Sequence, residues 1–485
     1  MNHFLSVANV LSKIIVVFGL TMLVPYGIGY WLQDGSSAVF GEAILITLIC
    51  GIVIALITRH YKRELQIRDG FLLVVLVWLL LPFFGMLPLL RFFPEISFAK
   101  AYYEATSAMT ATGGTVLTGL DTLPYSINLW RGEMVWLGGM GLIVLAVAIL
   151  PMLGVGGRQI FKAEIPGPMK ESKLTPRIAE TAKGLWLVYV ALTLMCVIAY
   201  KLAGMSWFDA IMHAFTTLGL GGFSSHDASF GHWNSPAIEL VAIVFMLIGG
   251  VNFATHFSAW RARGIAPYYY DPEIKPYFFI VLVSCVVVAG YLWLTGVYTD
   301  PLTALRYASF NVVSVATTTG YSNTDYSLWP IFAPLWMLFL SGFCTSSGST
   351  GGGIKMIRVR ILYQQFFREM ITIMHPQAVS PVKLGRSVVA NRIIFAVFVF
   401  LFVYLLSMIL MTLVLTLSGL DEITAFSATV ACINNLGPGL NQIGPATTYA
   451  SLTDFQIWIC SFAMLLGRLE FYTLLIVFTI AFWRK

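Results

Sequence analysis

The sequence predicts an all-α polytopic membrane protein. Four parallel repeats of span, short pore helix and span are expected around a pseudo-fourfold axis, preceded by two extra transmembrane helices. Three observations predict this. The chain of 485 residues is 58% hydrophobic and only 11% charged, against about 25% charged for a soluble globular protein. Apolar runs of about 20 residues, the length that crosses a hydrocarbon core, recur from end to end. Between these runs one short pattern returns four times.

The N-terminus, MNHFLSVANVLSKIIVVFGL, leads into a span expected near 14–32, and a second follows near 39–58. The first apolar run is too long for a signal segment and no A-x-A site follows it, so it reads as a retained span. Four units then run over about 70–155, 184–258, 277–374 and 392–483. As domains, 1–65 holds the two leading helices, 66–183 the first pore repeat and 184–276 the second. The third, with an interrupted inner helix, is 277–391, and 392–485 is the fourth.

Basic residues set the orientation. They cluster at Arg59, Lys62, Arg63 and Arg68; at Arg158, Lys162, Lys170, Lys173, Arg177 and Lys183; at Arg261, Arg263 and Lys275; and from Lys355 through Arg358, Arg360, Arg368, Lys383 and Arg386 to Arg392. The positive-inside rule places all of them, and both chain termini, in the cytoplasm. The net charge of +6 is then a matter of topology. Nucleic-acid binding is excluded, because no basic face is interleaved with aromatics on a soluble domain; the expected surroundings are lipid. The six cysteines are scattered in apolar runs without a CxxC pair and read as small buried hydrophobes. His213 and His256 read as satisfied packing residues.

The repeated element opens at Ser97, Ser206, Asp300 and Asp421, each a good helix N-cap. From there to Gly113, Gly222 and Gly437 is 16 positions, and to Gly320 it is 20, about one turn more. Helices of about 18–24 Å are too short to cross a core of about 30 Å. A short capped helix ending in a glycine-containing strand between two full spans is a re-entrant pore loop. Each would enter from outside with its C-terminus, roughly half a negative charge, pointing at the axis. Irregular backbone at membrane depth is tolerated where it lines a cavity, and a ring of carbonyls can replace a cation's hydration shell. The expected cation filter is therefore Ala111-Thr112-Gly113, Leu220-Gly221-Gly222, Thr318-Thr319-Gly320 and Asn435-Leu436-Gly437. Gly114, Phe223, Tyr321 and Pro438 follow the glycines and differ from one another, which predicts looser potassium selectivity than a TVGYG filter gives. Glu104 and Asp227 are expected near the outer mouth, either concentrating cations or simply solvated.

With these motifs the chain resembles the Trk/Ktr/HKT superfamily of potassium transporters, in its bacterial TrkH type. The resemblance rests on TATGG, GLGGFSSHD, ATTTGYSN, NNLGPG, WLGGMGLIVLAVAILPMLG, SGSTGGGIK and LLGRLEFYTLL, and covers almost the whole chain. It implies potassium uptake across the bacterial inner membrane through a gated, channel-like pore. It also implies a homodimer with one pore per subunit and a TrkA-type cytosolic ring of nucleotide-binding domains that gates it. An ion-coupled symporter, driven by protons or sodium, is the alternative; the absence of inverted repeats and of a carboxylate relay counts against it. An intramembrane enzyme is a third class, which no metal motif or nucleophile–base constellation supports, and no organic cofactor is expected on this chain.

The resemblance maps an intramembrane gate onto Thr345, Ser346, Ser347, Gly348, Ser349, Thr350, Gly351, Gly352, Gly353 and Lys355, with a pore-facing arginine at Arg468. The residues themselves agree. Lys355 is misplaced for a phosphate-binding GxxxxGK[ST] loop, since Ile354 intervenes and Met356 follows. Each glycine costs about 1 kcal/mol in a helix relative to alanine, so four in six positions break the span into an irregular, mobile strand. The hydroxyls can satisfy the freed backbone groups or face water. Lys355 and Arg358 are expected to mark the return to cytoplasm. Arg468 is expected mid-span in the last helix, bonded to loop carbonyls or acting as a barrier to cations, and unpaired with Glu470 two positions on.

Overall fold

The computed structural model describes residues 2–61, 66–148, 178–385 and 387–484. Lys62, Arg63, Arg386, the cluster from Arg158 to Arg177 and the end of the Trp136–Gly154 motif lie outside the described residues. Among the described residues six helices are long and apolar enough to cross a membrane, or eight if each of two bent helix pairs is one span.

The first span starts earlier than expected, running over Phe4–Leu32. Its polar N-terminal half is accommodated because it faces protein. Asn9 Nδ2 donates to Thr58 Oγ1 at 3.1 Å, and Ser12 Oγ donates to the Asn9 carbonyl. The second leading helix is Ser37–Thr58, and both pack on the first unit.

Each unit has a first helix, a pore helix and a second helix. The pore helices are Phe98–Met109, Trp207–Gly219, Pro301–Ala316 and Glu422–Ile433. They are 12, 13, 16 and 12 residues long, so the extra turn falls in the third unit as the spacing requires. Ser97, Ser206, Asp300 and Asp421 cap them, each accepting a backbone N–H three residues on. The first helices are Ile67–Gly85, Ile178–Ala203, Ile274–Leu294 and Asn391–Leu417.

The second helices correct an expectation. Only the third was expected to break, yet three of the four do. In the second unit Pro236–Gly249 and Phe253–Ala262 meet at 91°. Gly249 and Gly250 end the first piece, and Asn252 Oδ1 restarts the next by accepting Ala254 N–H at 2.9 Å. In the fourth, Asp454–Arg468 and Phe471–Val477 meet at 114°, across Glu470 at φ +54°. In the third, Phe332–Ser341 and Met356–Met374 are joined by the glycine-rich loop. The first unit's Tyr125–Ala148 is continuous.

Pore helices and second helices alternate in a closed ring. The first pore helix packs on Tyr125–Ala148, which packs on the second pore helix, and so on round to Asp454–Arg468, which returns to the first. One apolar core joins the leading helices with the first and fourth units; another joins the second and third. The one small sheet among the described residues is an antiparallel pair, Lys383–Leu384 with Ser387–Val388.

Candidate functional site

At the C-terminus of every pore helix the chain makes the same turn. Ala111, Leu220, Thr318 and Asn435 are left-handed, at φ +53°, +54°, +60° and +53°. The next residue's N–H reaches back five positions: Thr112 to Ser107 O at 2.8 Å, Gly221 to Thr216 O at 3.0 Å, Thr319 to Ser314 O at 2.8 Å and Leu436 to Ala431 O at 2.8 Å. This is the Schellman closure of a helix. The sequence placed a glycine turn here, but the capping residue is a non-glycine two positions earlier. Left-handed backbone costs such a residue roughly 1–2 kcal/mol, offset here by the two backbone bonds of the cap.

The glycines serve a different purpose. Gly113, Gly222, Gly320 and Gly437 are also left-handed, and a Cβ at any of them would come within 3.0 Å of a neighbouring unit's backbone. Gly113 meets the carbonyl oxygen of Gly221, Gly222 that of Thr319, Gly320 that of Leu436 and Gly437 that of Thr112. The chain of contacts thus runs from unit one to two, three, four and back to one. All twelve expected filter residues are brought together in this ring. Asn435 Nδ2 stitches the fourth unit to the first, donating to Thr112 Oγ1 at 3.0 Å.

One face of the ring opens into a cavity of about 340 Å³, lined by Gly113, Gly222, Gly320, Pro438 and loop residues beyond them. Glu104 does not stand free at this mouth. It is fully buried, accepting Arg131 Nε at 2.9 Å, Thr115 Oγ1 at 2.9 Å and Val116 N–H at 2.8 Å. Arg131, also buried, lies over the Phe223 ring at 4.3 Å. The expectations of cation concentration and of solvation at Glu104 are both overturned: its charge is consumed by an internal partner. Asp227 is exposed beside the cavity, its Oδ2 accepting Leu120 N–H at 3.2 Å. On the same rim, burial works to raise the carboxyls of Asp121 and Asp209, but their hydrogen bonds with His226 and neighbours hold both below the usual range. Burial works to lower the His226 imidazole, and these two carboxylates outweigh it and raise its pKa.

Against the other face lies the loop from Thr345 to Lys355. It is irregular and bonded along its length. Thr345 Oγ1 donates to Gly352 O at 2.9 Å, Ser349 Oγ to Ser346 O at 2.6 Å and Thr350 Oγ1 to Leu218 O at 2.9 Å. Gly352 N–H donates to Thr318 Oγ1 at 2.9 Å, a direct tie to the turn after the third pore helix. Ser346 N–H reaches Gly250 O, and Gly348 O accepts Phe253 N–H, using groups freed by the break in the second unit. Glu273 Oε1 accepts both Ser347 and Ile357 N–H at 3.0 Å. The loop glycines sit at close approaches: Gly348 against Asn252, Gly351 against Thr345, Gly352 against Asn434 and Gly353 against Gly342. Lys355 does not return to water; it is buried, and its Nζ donates to Gly351 O within the loop.

Arg468 ends its helix at the break, a correction to its expected mid-span place. Its Nη1 donates to Thr350 O at 2.8 Å and its Nη2 to Gly138 O at 3.2 Å, so it does bond the loop. Glu470 turns away to pair with Arg358 at 2.7 Å. His213 and His256 have both ring nitrogens bonded, and all six cysteines are free. Sequence reasoning missed Arg131 and Glu273. A charge within an apolar run was the available signal for Arg131; nothing local marks Glu273.

A family model described as TrkH, cation transport protein, matches residues 36–484. The Trk system potassium uptake protein TrkH of Vibrio parahaemolyticus is 45% identical over the whole of both chains. That of Escherichia coli K12 is 42% identical, also over the full length of each. A crystal structure of the potassium transporter TrkH from Vibrio parahaemolyticus superposes with a TM-score of 0.90 at 43% identity, covering 99% of this chain and 100% of that one. The repeat ring, the full-length identity and the matching structure together establish that the chain belongs to the TrkH family of cation transport proteins.

Proposed function

We propose that this multi-pass membrane protein takes up potassium across the bacterial inner membrane through a gated, channel-like pore. The single observation that carries the reading is the closed circuit of four glycine-to-carbonyl approaches at the ends of four converging pore helices. Such a ring gathers four helix C-termini and their backbone oxygens in one place, which supports a site for a dehydrated cation. The names of the curated relatives supply the ion, K+. The cavity face is then outside, and the loop and both chain termini are cytoplasmic, with the basic clusters. The repeats divide near residues 65, 183, 276 and 391. The segment 345–355 is the gate beneath the filter, with Arg468 as its fastening. A homodimer and a TrkA-type nucleotide-binding ring, carried over from the family, complete the system, with the ring acting on the loop.

Purified protein in liposomes tests this. It should pass rubidium in preference to sodium or lithium, and Gly320→Ser, whose side chain would strike Leu436 O, should raise sodium or lithium flux relative to rubidium. Unchanged ratios in a folded variant overturn the filter assignment. Flux that stops when the proton gradient is collapsed at fixed voltage would favour a proton-coupled symporter instead.

A further inference from the structure

Two loops meet at the rim of the cavity, one after each of the first two filter segments. The short 3-10 helix Leu120–Thr122 comes from the first unit and Ser229–His232 from the second. They are pinned to each other: Leu120 N–H donates to Asp227 Oδ2 at 3.2 Å, and Asp227 N–H to Asp121 Oδ2 at 3.1 Å. This leaves Asp121 Oδ1 facing His226 Nδ1, in direct contact, and His232 Nδ1 at 3.7 Å. The two imidazoles stack at 3.6 Å, and both stand edge-on to Trp233. One ligand atom from each of Asp121, His226 and His232 lies within 4.8 Å of the others. Tetrahedral zinc, with bonds of about 2.0–2.2 Å, sets its ligand atoms roughly 3.3–3.5 Å apart. One histidine–aspartate spacing, the direct contact, is shorter than that range and the other slightly longer; an ion would separate the first pair, and His232, 43% exposed, would rotate out of the stack to turn its ring-plane lone pair to the same point.

The far side of His226 is also arranged. Its Nε2 lies 3.3 Å from Asp209 Oδ1, and Asp209 is held in turn by Ser206 and Ser225. Metal-binding histidines commonly donate their second N–H to a carboxylate, which fixes the ring and raises its basicity, and Asp209 is the carboxylate within reach of His226 Nε2. Two imidazoles and one carboxylate, with a fourth position open to solvent, suit zinc and its borderline neighbours rather than potassium, magnesium or calcium. His226 itself lines the cavity, four residues beyond Gly222.

We propose that Asp121, His226 and His232 form a binding site for a zinc-class divalent metal ion at the cavity rim, and that its occupation slows cation entry to the filter. A double positive charge there opposes the approach of a monovalent cation and locks the first and second loops together. The inhibitory half rests on the proposed conduction pathway; the binding half does not. Calorimetric titration of Zn2+ into the purified full chain, prepared without a polyhistidine tag, should show one site per chain. His232→Ala and Asp121→Asn should each weaken it by about tenfold or more, since even outer-shell losses cost about 10–100-fold. In liposomes, Zn2+ added on the cavity side should slow rubidium flux in the parent, and His232→Ala, with unchanged flux in the absence of zinc, should need at least about tenfold more. Binding that is equal in parent and variants overturns the site. Binding lost in the variants with no slowing of a measurable flux in the parent overturns the inhibition. If no rubidium flux is seen at all, the titration alone still decides the site, and the failure belongs to the conduction reading.

Discussion

Removing one partner from the Glu104–Arg131 pair leaves a charge stranded where water does not reach. Both side chains are fully buried, and breaking such a pair costs about 3–5 kcal/mol. Arg131→Met should therefore lower the thermal unfolding temperature in detergent markedly, and Glu104→Gln with Arg131→Met should recover part of the loss. A double variant no more stable than the single would mean the arginine contributes packing on Phe223 rather than charge. The sequence showed Glu104 and hid its role, because its partner lies 27 positions away and only the fold joins them. The expected filter triplets stand out in the sequence for the opposite reason. Their glycines recur at a fixed offset from an N-cap, so the repeat itself announces them. Their left-handed neighbours, Ala111 to Asn435, were not legible, since nothing in a non-glycine residue advertises a left-handed helix cap closed by its own backbone bonds.

At the scale of elements, the loop from Thr345 to Lys355, proposed above as the gate, has three side-chain fastenings: one from the fourth unit, one from the junction of the second and third, and one from its own unit. Arg468 supplies one, Glu273 another and Thr318 a third. A hydrogen bond to a charged group is worth about 1.5–3 kcal/mol, and each 1.4 kcal/mol is about tenfold in an equilibrium. Arg468→Ala should then raise basal rubidium flux by roughly 10- to 100-fold if the bond to Thr350 holds the closed arrangement. Flux that stays the same or falls in a folded variant would remove the loop from gating. Gly352→Ala should act in the same direction, because its Cβ would meet Asn434 O. The sequence predicted the break in the third unit from glycine content alone. The breaks at Gly250 and Glu470 escaped notice, because one needs only two glycines and an asparagine cap, and the other a single left-handed glutamate. Pore helices, by contrast, carry a cap, a length and a terminus in their own residues, and all four are where those signals place them.

For the whole molecule, four unequal units close one ring within a single chain. An identical tetramer would repeat one contact four times; here each junction differs, from Gly113 on Gly221 to Gly437 on Thr112. The circuit also has a direction, each of its four left-handed glycines leaning on the unit that follows it, although Gly221 leans back on Ala111. Second-site genetics inherits that direction. Gly222→Ala presses on Thr319 O, so revertants selected for growth on scarce potassium should map to the third unit's Thr318–Gly320 segment and pore helix rather than to the first's. An even split between the two would mean strain spreads symmetrically. A one-sided split would mean that errors in this pore are passed clockwise or anticlockwise, never both, and that its four segments have been free to diverge only in step with a single neighbour.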